Sequence, residues 1–148
     1  LLLARAAFYA EMLQCGQSVP PMNEGESKLR DAASTLDEAV SGLRDAGSQR
    51  HIPGGLLTSA WLRFRTDPDS AKVDLDEAWE IAERGPMKLF LADIYLYRAR
   101  LFFRKKTYPW RNTSAKADLA EARRLIEKCR YWRRKEELAD AEVVIGGR

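Results

Sequence analysis

The sequence predicts an all-α protein, a right-handed solenoid of about three antiparallel helix pairs followed by a terminal helix. Three observations carry that prediction. The tetrapeptide Leu36-Asp37-Glu38-Ala39 recurs as Leu75-Asp76-Glu77-Ala78 and, altered, as Leu119-Ala120-Glu121-Ala122, at spacings of 39 residues (36 to 75) and 44 residues (75 to 119). Ala60, Leu62 and Phe64 return 39 residues later (60 to 99) as Ala99, Leu101 and Phe103, in step with the tetrapeptide. No segment of useful length alternates with period two, so no sheet is expected. Self-similarity at such a period belongs to helix pairs that cannot bury their apolar faces alone.

Apolar residues spaced by three and four mark seven helices in order. The stripes are Leu2, Ala6, Tyr9, Leu13; Leu29, Ala32, Leu36, Ala39, Leu43; and Leu57, Ala60, Trp61, Phe64. They continue with Ala71, Leu75, Ala78, Ala82, widened by Trp79, and with Leu89, Ala92, Leu96, Ala99, Phe103. Ala115, Leu119, Ala122, Ile126 mark the sixth helix, and Leu138, Ala141, Ile145 the seventh. Asp67-Pro68 places an N-cap acceptor before a proline that needs no N–H partner, and Thr113-Ser114 offers a similar cap. Gly47 and Gly85 fall where a helix ends on a left-handed residue. Two longer stretches, Cys15 to Ser27 and Arg104 to Asn112, look like surface insertions. The recurring alanines let helices approach closely at their crossings, so Ala60 and Ala99 should be almost fully buried.

The whole chain of 148 residues forms one domain, with units at 1–47, 51–85 and 88–130 and the terminal helix at 132–145. It opens Leu1-Leu2-Leu3 without methionine and is expected to be a piece of a longer polypeptide. That opening run is broken by Arg5 and falls short of the roughly 20 apolar residues that span a bilayer. Hydrophobic residues at 45% and charged residues at 32% exclude a disordered chain. Two distant cysteines, Cys15 and Cys129, and a single histidine argue against a disulfide framework or zinc site, and for a reducing cytoplasm. Neither metal nor cofactor is expected.

Little in the sequence points to catalysis. His51 has no partner for nucleophilic chemistry. Gly54-Gly55 lacks the lysine and preceding strand of a phosphate loop. Asp37-Glu38 and Asp76-Glu77 repeat at the structural period and are expected to face water in the first half of their helices. Charge is more informative. Between Arg104 and Lys135 stand twelve Lys/Arg against Asp118, Glu121 and Glu127, in a chain whose net charge is +3. Tyr108, Trp110, Tyr131 and Trp132 interleave with those cations. That mixture suits phosphate contacts with base stacking, or else arginines lying along helix faces while the aromatics pack between repeats.

The alanine-aromatic stretches Ala60 to Phe64 and Ala99 to Phe103, with the Glu-Ala pairs at 38–39, 77–78 and 121–122, resemble the tetratricopeptide-repeat family. The period is longer than that family's, about 34 residues. His51-Ile52-Pro53-Gly54-Gly55-Leu56, Ile81-Ala82-Glu83-Arg84-Gly85, and Glu121 to Glu127 with Tyr131 and Arg133-Arg134 resemble more narrowly a bacterial subgroup. That subgroup is often found at the C-terminus of signalling ATPases of the STAND type. The resemblance implies a non-enzymatic interaction or sensor scaffold that binds a protein or peptide in a concave groove. Its groove positions carry over to Leu57, Trp61, Arg65, Asp93, Leu96, Arg100 and Arg104, with Lys135 and Leu138 added by the next helix. That lining is apolar and basic, so an acidic or amphipathic peptide is the expected ligand. Upstream domains of the same polypeptide are expected as further partners, and a membrane is not. The alternative is a nucleic-acid or polyanion-binding solenoid that uses residues 104–135.

Overall fold

The structure, a computed structural model, describes residues 24–146. Among them are six α-helices and no strand: α1 (Glu24–Asp45), α2 (Ile52–Arg63), α3 (Pro68–Arg84), α4 (Lys88–Phe102), α5 (Ala115–Lys128) and α6 (Lys135–Gly146). A short 3-10 turn, Trp132–Arg134, leads into α6. The expected first helix (Leu2 to Leu13) and Cys15 lie outside the described residues. So does the expected insertion from Cys15 as far as Asn23; its remaining residues, Glu24 to Ser27, are helical rather than loop.

Local chemistry places the helix ends. Asp67 caps α3 by accepting the Ser70 N–H at 3.0 Å, with Pro68 as the first helical residue. Ser114 caps α5 through the Ala117 N–H at 3.1 Å. Gly47 closes α1 with φ +66°, and the Ser48 N–H returns to the Leu43 carbonyl at 2.9 Å. Gly85 departs from expectation. It ends α3 at φ −91°, an ordinary backbone region, and the Met87 N–H bonding to the Ala82 carbonyl makes the closure instead.

α1 buries a face one residue away from the expected stripe. Ala33 and Val40 are buried while Ala32 and Ala39 are exposed. Ala78 and Ala122, the counterparts of Ala39, are wholly buried. Among the described residues α1 packs on α2 alone, whereas α3 and α5 each pack against two helices. α1 and α2 approach closely, since a Cβ on Gly55 would come within 2.7 Å of Val40 Cγ2. Gly55 is therefore a packing residue.

Two apolar clusters share α4. Ile94, Tyr97, Leu101 and Phe102 join the core built on α1, α2 and α3, while Ala92, Leu96 and Ala99 join the one built on α5 and α6. α4 is thus buried nearly all round, where a single stripe was expected. α2 packs against α4 and α4 against α6, while α1, α3 and α5 make no close backbone approach to one another among the described residues.

Ala60 and Ala99 both have 0% exposure, as helix-crossing residues should. Ala99→Leu is expected to lower stability by about 1–3 kcal/mol through overpacking. Thermal unfolding followed by circular dichroism measures it, and a variant melting with the parent would discount the crossing.

Candidate functional site

The structure divides the predicted groove. Trp61 and Arg65 stand one turn apart at the C-terminal end of α2, and Arg100 and Arg104 stand 39 residues later at the same end of α4. Arg65 and Arg104 are exposed, and the Arg104 guanidinium lies 5.4 Å from the Phe103 ring. Trp61 is half-buried. Lys135 is exposed but begins α6, at the opposite end of the helices from Arg104. Leu57, Asp93, Leu96 and Leu138 are buried. The two leucines carried over from α2 and α4 point into the core rather than a groove, and Asp93 is taken up by the chain's own residues. Of the expected groove positions, Arg65, Arg104 and Lys135 are exposed and Trp61 is half-buried.

Asp93 is held by a side-chain network linking α4 to the start of α6. Arg134 Nε and Nη2 donate to its two oxygens at 2.7 and 3.2 Å, and the Tyr131 hydroxyl donates at 3.2 Å. Arg134 Nη1 also donates to Glu137 at 2.8 Å, and Glu137 accepts from Arg100 at 2.8 Å. Burial pushes the Asp93 carboxyl upward against the opposing pull of Arg134. For Arg134, burial acts downward but is outweighed by the hydrogen bond and charge of Asp93, so the guanidinium is held more firmly protonated than usual. Arg100 is accordingly a bridge to α6, with its side chain 9% exposed.

The aromatics of the basic segment mostly face inward. Trp110 packs edge-on to Phe102 with centroids 5.1 Å apart, donates its indole N–H to Asp76 at 2.5 Å, and lies 4.6 Å from the Arg98 guanidinium. Arg98 also sits 5.8 Å from the Trp79 ring and 6.0 Å from Tyr95, and donates to Asp76 at 3.2 Å. This aromatic cage is thus filled by the protein's own arginine, whose Nε is buried without a partner. Asp76, expected to face water, is half-buried under Lys72, Arg98 and Trp110. Tyr108 donates to Asp118 at 2.6 Å, and its ionisation is pushed upward by burial and then by that carboxylate. Within the expected surface insertion, Tyr108 to Trp110 therefore turn inward and are half-buried against the core, while residues 104–107 and 111–112 stay exposed. Of the four aromatics in the basic segment only Trp132 is exposed, at 56%.

The positive segment is also split by the fold. Lys105, Lys106 and Arg111 lie in the loop before α5, and Lys128, Arg130, Arg133 and Lys135 cluster at the turn after it. Fourteen residues of helix separate the two groups, about 20 Å at 1.5 Å per residue.

Asp74 and Asp118 occupy matching positions, each one residue before the repeated leucine, and both are buried. Asp74 accepts the Ser59 hydroxyl at 2.6 Å. Burial raises its carboxyl above the ordinary aspartate value of 3.8, with Ser59 and Arg63 opposing. A raised folded value means that the folded state binds the proton more readily than the unfolded state. Asp74 should therefore favour folding below its unfolded value and lose that contribution as pH rises through the folded one. Against Asp74→Asn, which cannot titrate, the parent should gain relative stability as pH falls from neutrality towards 3.8. Urea unfolding of both proteins across that range checks the sign.

A depression of about 400 Å³ lies elsewhere, between α1 and the α2–α3 loop, around the Arg63–Asp37 ion pair. Among the described residues no group of three His, Cys, Asp or Glu is placed to hold a metal ion, and no helix is long and apolar enough to cross a membrane. Comparison of the chain with protein-family models, curated proteins and solved structures finds no match.

Proposed function

We propose that this chain is a non-enzymatic protein-interaction module of the tetratricopeptide-like kind, taking an acidic or amphipathic peptide along the side formed by α2, α4 and α6. The observation that carries the reading is the layering. The first helices of successive pairs touch one another while the second helices stand apart. Stacking with one layer tighter than the other curves an array toward the tight side, as in a right-handed superhelix with a concave binding face. Trp61, Arg65 and Arg104 supply that side with one aromatic and two cations, which suits carboxylates flanked by apolar residues. A cytoplasmic setting and attachment to further signalling domains belong to the same proposal.

The nucleic-acid reading is less well supported, because Tyr108, Trp110 and Tyr131 are engaged internally and leave no row of stacking platforms. Fluorescence polarisation with labelled acidic, neutral and basic amphipathic peptides, at two salt concentrations, tests the choice. Acidic peptides should bind, and Arg65→Glu with Arg104→Glu should abolish binding while leaving helicity unchanged, since both side chains are exposed. Arg100 is left intact because reversing its charge would face it against Glu137. Binding without preference for acidic peptides, or indifferent to the double reversal, would remove the groove assignment.

A further inference from the structure

We propose that the turn joining α5 to α6 is a peripheral docking tip for an anionic phospholipid surface. Trp132 projects from the 3-10 turn at 56% exposure. Around it stand Lys128, Arg130, Arg133 and Lys135, all exposed, and none is ion-paired to another described residue. The nearby charged groups that do pair do so elsewhere: Glu127 with Arg123, and Arg134 with Asp93 and Glu137. Glu136 is the one exposed carboxylate within this stretch that remains.

A second apolar side chain belongs to the same end. Leu89 is 46% exposed and lies one helical turn before Asp93, on the same face of α4. Tyr131 and Arg134, which flank Trp132, grip that face through Asp93. Lys88, also exposed, begins α4 beside Leu89. This end of the fold therefore carries an exposed indole, an exposed leucine and five exposed cations.

This chemistry favours a lipid surface over a nucleic acid. Indole rings settle at the headgroup level of bilayers, and lysines or arginines beside them are drawn to anionic lipids. A nucleic acid would want successive stacking platforms, and Leu89 cannot stack a base. Among the described residues no helix is long and apolar enough to cross a membrane, and a peripheral contact requires none.

Co-sedimentation of the chain with phosphatidylcholine vesicles, with and without phosphatidylglycerol, tests the proposal. The chain should sediment with the phosphatidylglycerol vesicles only, and less as salt is raised. Each cation removed should weaken binding about fivefold, so serine at Lys128, Arg130, Arg133 and Lys135 together should weaken it on the order of several hundred-fold. Trp132→Ser alone should weaken it about tenfold or more while helicity is unchanged, and indole emission should shift to the blue on binding by the parent. Serine at Lys105, Lys106 and Arg111, at the other end of the fold, should leave vesicle binding as it was.

Equal sedimentation with both vesicle types would overturn the proposal. So would a loss from the Lys105, Lys106, Arg111 variant as large as that from the turn variant, because the effect would then be one of overall charge. If instead the chain bound a labelled single-stranded oligonucleotide through the same four cations and ignored vesicles, the tip would be a nucleic-acid contact. Should the fourfold variant fail to fold, Trp132→Ser and the salt dependence decide the matter.

Discussion

Replacing Arg134 with alanine is expected to destabilise the protein by about 3–5 kcal/mol, the cost of leaving a buried charge without its partner. Asp93 is 5% exposed, and Arg134 supplies two of the three side-chain donors that reach it. The loss would come from the carboxylate stranded in the α4–α6 interface more than from the arginine itself. A second substitution separates the two contributions. Asp93→Asn in the Arg134→Ala background removes the stranded charge and should recover part of the stability, although each change alone is damaging. Arg134→Lys keeps the charge but not the two-pronged geometry, and should fall between the parent and the alanine variant. Denaturant unfolding of the parent, the Arg134→Ala and Asp93→Asn variants and their combination measures the cycle, with Arg134→Lys beside them. An Arg134→Ala midpoint within error of the parent would mean that the network is ornamental.

The second large effect is expected at Trp110. Trp110→Ala should cost about 3–5 kcal/mol, in the range of aromatic deletions from packed sites. It removes the ring contact to Phe102, uncovers one face of the Arg98 guanidinium, and takes the indole donor from Asp76. Trp110→Phe keeps a ring but not the donor, and should recover more than half of the loss if packing dominates. Hydrogen exchange in residues 103–114 should accelerate in the alanine variant and stay near the parent in the phenylalanine one. A Trp110→Ala protein with parental stability and exchange would return this stretch to the status of an ordinary surface loop.

These two sites show which parts of the molecule were legible in its sequence. Caps at Asp67 and Ser114 were readable because a cap is a contact between residues three apart. Ala60 and Ala99 were readable because a repeated crossing leaves a repeated small residue. The all-helical character followed from periodicity alone. The inward turn of Trp110 was one of two open readings, since its partners Asp76 and Arg98 are distant in the chain and nothing local distinguishes a packed indole from an exposed one. The Asp93–Arg134 pair spans 41 residues and left no mark on either neighbourhood.

The surroundings of α4 were misjudged for a related reason. A single apolar stripe was traced through Ala92, Leu96 and Ala99, whereas Ile94, Tyr97 and Leu101 serve a second core on the other side. Those six residues together fit no one-sided pattern, and Asp93 and Arg98 interrupt both faces. Of the expected groove positions, Arg65 and Arg104 are exposed, whereas Leu57 and Leu96 are buried. Helical spacing gives the direction of a side chain around its axis, and not which neighbour covers it.

The inserted Trp110 has a consequence for how the molecule comes apart. Arrays of helix pairs ordinarily interact only with their nearest neighbours, and can fray from one end while the rest stays folded. Here the segment linking α4 to α5 reaches across to Lys72 and Asp76 of α3, so α5 is tied to the earlier helices by more than its helix face. Loosening α5 would withdraw the indole from α3 and α4 together. The described helices from α2 to α5 should accordingly melt as one unit, with calorimetric and van't Hoff enthalpies in agreement, instead of peeling away pair by pair.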